Sequence, residues 1–126
     1  MLRHRTAILL TLCILSFSVP MLAHHGTYAS YDRDKTITLN GTVTQFQYAY
    51  PHILIFFDVK DETGHAVHWA AEMIESPGIL KTKDAKWNRK TIQSGDQLTI
   101  ACNPHKVPDT KVCIARELTL NGKKIY

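Results

Sequence analysis

The sequence predicts an all-β domain with little helix, folded as a five-stranded, partly open antiparallel barrel of the OB type. Five segments alternate apolar and polar residues, as half-buried strands do, and a short helix-compatible stretch lies between the third and the fourth. Three strands, a short helix and two more strands is the element order of an OB-like barrel. An ordinary small antiparallel sandwich is the alternative, because sequence patterns separate these two folds poorly.

The first three strands are predicted at 36–48, 52–59 and 66–73, with a hairpin turn at 61–64. Gly41 interrupts the first strand, and a glycine inside a strand suggests a bend or a bulge. Successive side chains of a strand point to opposite faces, so alternate residues of the second and third strands should face the core. The predicted core-facing residues are Ile53, Ile55, Phe57, Val59, Val67, Trp69, Ala71 and Met73.

The rest of the domain follows a break in the third strand at Ser76-Pro77-Gly78. The stretch 79–85 is long enough for about one or two helical turns. A turn at 93–96 then leads into the last two strands, which are predicted at 98–102 and 112–120.

The N-terminus has the three-part layout of a secretory signal peptide. Two arginines lie within residues 1–5, an almost wholly apolar run covers 6–22, and Ala23 is a small residue at the expected cut. Cleavage after Ala23 would make His24 the first residue of the mature chain, whereas a cut after Ser18 is the rival. The apolar run is interrupted and is short for a membrane span of ~20 residues, so we expect a periplasmic or secreted protein rather than a retained anchor.

These expectations divide the chain into a signal peptide at 1–23, an N-terminal segment at 24–35 that packs on the barrel, and an OB-like β domain at 36–126. Without its two N-terminal arginines the chain keeps 13 of its 15 basic residues against 11 acidic ones, a net charge of +2. A charge this small, with no basic cluster assigned to one face, argues against a nucleic-acid partner. We also expect no membrane contact after cleavage, and the oligomeric state stays open.

Cys102 and Cys113 are the two cysteines that remain after the predicted cleavage. An even number of cysteines in an exported protein favours a disulfide. In a regular hairpin the alternation would place the two sulfur atoms on opposite faces, so a bulge is required to bring them together. A metal site formed by both cysteines and His105 is the alternative.

The second and third strands share an outer face, on which a histidine and a carboxylate should meet. The plausible hairpin registers put His52 opposite Glu72 or one residue pair away, where the carboxylate would orient the imidazole. His68 falls near Asp58 at the other end of this face, about 13 Å along the strand, so the two histidines should not bind one ion. The outer-face residues are His52, Leu54, Phe56, Asp58, His68, Ala70 and Glu72.

Leu54 and Phe56 are apolar at positions where solvent is expected, so the N-terminal segment or a partner should cover them. Tyr28 and Tyr31 give the N-terminal segment aromatic side chains to bury. If the segment folds back across the outer face, it carries the terminal histidines towards His52.

The N-terminal histidines favour a metal site. A terminal His24 offers an α-amine and an imidazole, and these can close a chelate ring on an ion, with His25 and His52 as further ligands. Three imidazoles and an amine suit Cu(II), with Zn(II) as the alternative. The expected function is therefore an exported copper-binding protein, a carrier or buffer, in which Glu72 supports His52. Otherwise His24 and His25 lie in a frayed terminus and His52 is a surface residue paired with Glu72.

The alternative function is a non-metal binding module. The outer face, together with aromatic residues beside it, would dock a periplasmic protein, a peptide or a glycan. The residues of this expected binding face are Tyr28, Tyr31, Tyr50, Leu54 and Phe56, with Tyr48 beside them.

Enzymatic readings have little support, and no catalytic residue is assigned. The chain has no Gly-x-Ser-x-Gly elbow, and oxidised cysteines would supply no nucleophile. Glu72 and Glu75 do not share a strand face, so a paired-carboxylate site is unsupported. A copper oxygenase with a terminal histidine is conceivable on its ligands, but 103 mature residues leave little room for a substrate platform.

Short motifs recur in a characteristic order along the chain. They are Ala23-His24-His25, Tyr28, Tyr31-Asp32, Gly41-Thr42-Val43-Thr44, Pro51-His52, Trp69, Glu72, Ser76-Pro77, Trp87 and Gly95-Asp96. In this order they resemble a family of small exported bacterial proteins of undescribed function, with a His-His mature N-terminus and an Asn-Pro-His turn. The chain departs from that pattern at Gly26, Tyr50 and Lys86, where the family has Ser, Asn and Gly, and the cysteine pair lies outside it. The resemblance implies an exported, small β-rich domain and no particular activity.

Overall fold

The architecture is built from short strands and two brief helices. The computed structural model describes residues 26–82 and 86–126. Within those ranges the elements in chain order are α1 (Gly26–Ala29), β1 (Ile37–Gln47), β2 (Leu54–Lys60), β3 (Ala66–Glu72), α2 (Pro77–Thr82), β4 (Gln97–Pro104), β5 (Val112–Leu120) and β6 (Lys123–Lys124). All five predicted strands are present. The sequence did not predict α1 and β6, because elements of four and two residues are too short to show a periodic pattern.

β3 closes the sheet into a barrel because it pairs with β2 on one side and with β5 on the other. The strand order is β3-β2-β1-β4-β5-β6, with an additional β3–β5 pairing. That pairing is parallel and joins Ala70–Glu72 to Val112–Ile114, whereas the other pairings of the sheet are antiparallel. The predicted OB-like five-stranded barrel is confirmed, and the sandwich alternative is not adopted.

The helix between β3 and β4 begins earlier than the predicted range 79–85. It spans Pro77–Thr82, since proline suits the first helical position and the carbonyl of Ser76 accepts a hydrogen bond from the N–H of Leu80 at 3.2 Å. Residues 83–85 of that prediction lie outside the described residues. No helix within the described ranges is long and apolar enough to cross a bilayer.

Gly41 lies where two strands approach closely, and the bulge of β1 lies three residues further on. The pairing of β1 with β2 shifts register between Val43 and Gln45, so Thr44 is the extra residue. A Cβ on Gly41 would stand 2.5 Å from the carbonyl oxygen of Asp58. Gly41 therefore correctly predicted an irregularity in β1. At Gly41 itself, the missing side chain leaves space for the backbone of Asp58.

The barrel interior is the hydrophobic core, and the predicted alternation fills it. Ile53, Ile55, Phe57, Ala71 and Met73 are at most 1% exposed, as predicted. Val59 and Val67, near the β2–β3 turn, and Trp69 in the middle of β3 are half-buried. Trp87, which follows α2, is also buried. Its ring meets those of Phe46 and Tyr126 edge-on, at centroid distances of 6.3 and 6.2 Å.

A second bulge brings the two cysteines to the same side. The β4–β5 register shifts so that Ala101 faces Glu117 and Cys102 faces Ala115, which leaves Arg116 as the extra residue. The bulge that the sequence required is confirmed. Cys102 and Cys113 are fully buried and lie at disulfide distance, with Cα atoms 5.8 Å apart.

Candidate functional site

A buried carboxylate joins three parts of the chain. Glu72 is the last residue of β3 and is 7% exposed. Its Oε1 lies 2.8 Å from Nδ1 of His52, and its Oε2 accepts a hydrogen bond of 2.8 Å from the hydroxyl of Tyr31. We call these three residues the Tyr31–Glu72–His52 triad.

The hairpin register places His52 beside Glu72. Leu54 pairs with Glu72 across the β2–β3 ladder, and His52 shares the outward parity of Leu54 just before β2 begins. His52 therefore lies two residues before the partner of Glu72, at the next pair on the same face, which is one of the two predicted registers. The predicted pairing of Asp58 with His68 is also present, with Nδ1 of His68 2.5 Å from Oδ1 of Asp58.

The N-terminal segment holds Tyr31 by pairing with the loop after β4. The N–H of Asp32 donates to the carbonyl of Pro104, and the N–H of Lys106 donates to the carbonyl of Ser30, both at 2.8 Å. Tyr31 and His105 form an isolated antiparallel bridge, and their rings meet edge-on at 5.7 Å. Tyr31 is consequently only 3% exposed.

The electrostatics of the triad keep Tyr31 as a hydrogen-bond donor. Burial raises the pKa of the Tyr31 phenol well above its ordinary value, and the hydrogen bond to Glu72 and the negative charge of that carboxylate raise it further. The phenol thus stays protonated and donates to Oε2 of Glu72. Oε1 of the same carboxylate is left to hold Nδ1 of His52.

His52 is the member of the triad that reaches solvent. Its side chain is 36% exposed, against 9% for that of Glu72. With Nδ1 held by the carboxylate, Nε2 is the ring nitrogen open to a ligand, because a carboxylate at Nδ1 favours the tautomer with its proton there. Among the described residues no group of three His, Cys, Asp or Glu side chains could hold a metal ion.

The other predicted site residues fall in different places. Tyr50 is 71% exposed, and Leu54 and Phe56 are half-buried. Tyr28 is half-buried as well: Nη1 of Arg116 donates to its hydroxyl at 3.0 Å, and the guanidinium of Arg33 lies 4.8 Å from its ring centroid. The predicted cut after Ala23 and the predicted ligands His24 and His25 lie outside the described residues.

The sequence did not reveal that Arg33 of the N-terminal segment and Arg116 of β5 lie at one groove. Arg33 and Arg116, with Tyr28, Tyr31 and Lys106, line a polar groove of about 440 Å³. Arg116 faces this groove as the extra residue of the β5 bulge. The alternation of residues around Cys102 and Cys113 predicted a bulge but not its position. Without that position, the sequence could not identify Arg116 as the extra residue.

Comparison with known proteins shows a family and a fold. The family model described as a family of unknown function (DUF6152) matches residues 11–113. No curated protein matches the chain.

Two solved structures are similar to this chain at low sequence identity. The mitochondrial single-stranded DNA binding protein Rim1 of S. cerevisiae has a TM-score of 0.50 and 9% identity, over 68% of this chain and 91% of that one. The N-terminal domain of PriB from Thermoanaerobacter tencongensis has a TM-score of 0.44 and 16% identity, over 70% of this chain and 97% of that one. At 9% identity the likeness to Rim1 shows the fold alone, so the expected lack of a nucleic-acid partner stays a prediction.

Proposed function

This chain belongs to DUF6152, a family of unknown function, and we propose that it is an exported copper-binding protein, a carrier or buffer, with His52 as one ligand. The proposal includes export by the signal peptide at 1–23 and a mature N-terminus at His24. Zn(II) is the alternative ion, since imidazole and amine nitrogens suit both metals.

The observation that carries the proposal is the hydrogen bonding of Glu72. Metal-ligating histidines usually donate their second ring nitrogen to a carboxylate, which fixes the tautomer and the ring orientation. Glu72 stands 2.8 Å from Nδ1 of His52, and the hydroxyl of Tyr31 holds its other oxygen. This arrangement supports Nε2 of His52 as a ligand atom on a ring that is already oriented.

The tether of the N-terminal histidines also supports the proposal. His24 precedes Tyr31 by seven residues, and the Tyr31 hydroxyl is bonded to the same carboxylate as His52. Seven residues span at most about 25 Å when extended, and α1 shortens the connection because a helix rises only about 1.5 Å per residue. His24 and His25 are therefore tethered close to Tyr31, and the proposal requires that they fold back towards His52.

A copper titration of the processed protein tests the chelate. Adding one residue before His24 moves the α-amine by about 3.5 Å along the chain, which breaks the chelate ring but keeps every side chain. We expect this extension to weaken Cu(II) binding most and His52→Ala to weaken it less, because the latter removes one ligand of several. His68→Ala is the matched control, since His68 also contacts a carboxylate but its side chain is 85% exposed at the far end of the face.

The role of Glu72 is tested separately with Glu72→Gln. Losing a carboxylate behind a ligating histidine lowers metal affinity by roughly ten- to a hundredfold. A thermal melt of each variant shows whether the barrel is intact. If the extended protein binds Cu(II) as tightly as the native one, the chelate is absent and the proposal fails.

The second candidate is the non-metal binding module, favoured by the 71% exposure of Tyr50. Its expected face is smaller than the sequence suggests, because Tyr31 is buried against Glu72 instead of being displayed. Mass spectrometry of the exported protein separates the two candidates. A mature chain that does not begin at His24 lacks the amine ligand, and the binding module then becomes the better proposal.

A further inference from the structure

The net positive charge of this chain comes from one segment, 79–90. This segment contains five basic residues and one acidic residue, whereas the rest of the chain has ten of each. The net charge of +4 for the whole chain thus resides in twelve consecutive residues. The small total conceals this cluster in the sequence, which the expectation of no basic cluster on one face did not take into account.

The structure places the described part of this segment on α2 and the loop that follows. Lys81, Lys86, Arg89 and Lys90 are all exposed. None of the four forms an ion pair within the described ranges, which exclude Lys83 and Asp84. Exposed cations without an ion pair in the described residues attract anionic partners.

Exposed apolar side chains lie at the same end of the barrel. Four large hydrophobic side chains are exposed in the described chain, and three of them precede or belong to α2 or the β1–β2 connection: Tyr50 at 71%, Ile74 at 44% and Ile79 at 47%. The Tyr50 hydroxyl lies 2.6 Å from the position that a Cβ on Gly78 would occupy, so this ring rests beside α2.

A groove links the apolar and the basic side chains. It has a volume of about 480 Å³, and its lining includes Tyr48, Tyr50, Pro77, Gly78, Lys81 and Arg89. The aromatic rings and Pro77 form its apolar side, while the two cations bring charge to the same opening. This combination suits a partner that presents negatively charged groups next to apolar groups.

We propose that this end of the barrel binds the surface of a membrane that contains anionic lipids, which reverses the expectation of no membrane contact after cleavage. Basic side chains are attracted to anionic headgroups, tyrosine is favoured at the membrane–water interface, and exposed isoleucines such as Ile74 and Ile79 can enter the boundary with the acyl chains. A single-stranded nucleic acid would instead need exposed aromatic rings for its bases. In this region Tyr50 is exposed, but Trp87 is only 2% exposed, and isoleucine offers no stacking surface.

Vesicle sedimentation tests this proposal with the protein as the exporting cell processes it. The measured quantity is the ratio of binding to vesicles of phosphatidylglycerol and phosphatidylcholine in equal parts over binding to phosphatidylcholine alone. This ratio isolates electrostatic attraction, because an apolar N-terminal run would bind both kinds of vesicle. Lys81→Ala with Arg89→Ala should reduce the ratio about thirtyfold, following the usual contribution of each basic residue near an anionic surface.

The matched control is Lys60→Ala with Lys123→Ala, which removes two exposed lysines elsewhere and should leave the ratio nearly unchanged. Ile79→Ser should weaken binding to the anionic vesicles further, which tests the apolar part, and a thermal melt checks that each variant folds. Equal ratios for the two double variants would overturn the proposal. So would binding of an oligothymidylate that depends on Lys81 and Arg89 while the vesicle ratio does not.

Discussion

Tyr31 and Glu72 are separated by 41 residues in the sequence and joined by one hydrogen bond of 2.8 Å. Because Glu72 is 7% exposed and also holds His52, this bond ties the N-terminal segment to the end of β3. The segment is therefore part of the candidate site and not an appendage of the barrel.

Tyr31→Phe should destabilise the protein by about 1–3 kcal/mol, since it removes one hydrogen bond to a buried charged group. The measurement is the free energy of unfolding in urea. Tyr28→Phe is the control, because that hydroxyl accepts its bond from Arg116 at a half-buried position and its loss should matter less. Equal losses for the two variants would mean that Glu72 gains no particular stability from Tyr31.

Reduction of the cysteine pair should lower the stability by about 3 kcal/mol, the value expected for a closed loop of this length. For a domain of this size such a loss lowers the melting temperature by well over 10 °C, at about 4–8 °C for each kcal/mol. Mass analysis without reductant should show that two hydrogens are missing. Labelling of two free thiols in the denatured, unreduced protein would contradict the disulfide.

Gly41→Ala should destabilise the barrel by about 1–3 kcal/mol, as overpacked substitutions do. The new Cβ would meet the carbonyl oxygen of Asp58 at 2.5 Å, and that backbone cannot move without disturbing the β1–β2 ladder. The control is Gly78→Ala, whose Cβ would meet the Tyr50 hydroxyl at 2.6 Å. That hydroxyl ends a flexible, exposed side chain, so the control should lose much less stability in urea unfolding.

Asp61 should make the hairpin between β2 and β3 sensitive to acid. The hydroxyl of Thr63 and then the backbone N–H of His65 hold the pKa of Asp61 below its ordinary value of 3.8. A carboxylate whose pKa is lower in the folded state stabilises the fold above its unfolded pKa. That contribution disappears as the pH falls through the folded pKa.

The measurement for Asp61 is the free energy of unfolding at neutral pH and at a pH below 3.8. Asp61→Asn should lose less stability between the two conditions than the wild-type chain. Asp109→Asn removes a carboxylate from another exposed turn and is the comparison variant. Parallel curves for wild type and Asp61→Asn would show that the turn does not hold the carboxylate in its charged form.

Local pattern was sufficient to predict the strands and half of the candidate site. Alternation along β2 and β3 places His52, Glu72, Asp58 and His68 on one face in either plausible register, so both pairings could be predicted from parity although the register could not. The cysteine parity likewise demanded a bulge between β4 and β5, and Arg116 is the residue that provides it.

Contacts between distant segments could not be predicted in the same way. The bond from Tyr31 to Glu72 depends on how the N-terminal segment pairs with the loop after β4, and no periodicity in the sequence encodes that path. The bulge of β1 at Thr44 is also set by its partner strand. The basic segment 79–90 is visible in the sequence, but the net charge of the whole chain does not show where the positive charge lies.

The pairing of β3 with β5, here called the β3–β5 seam, is the shortest strand pairing among the five strands of the barrel and therefore the weakest. It consists of three residue pairs, Ala70–Glu72 with Val112–Ile114, whereas β2–β3 is joined along seven. Glu72 and Cys113 both lie in this short seam, so a local opening that parts β3 from β5 would release the carboxylate and uncover a buried sulfur in one event. An intact contact of Glu72 with His52 therefore indicates that β3 and β5 are paired and that the barrel is closed.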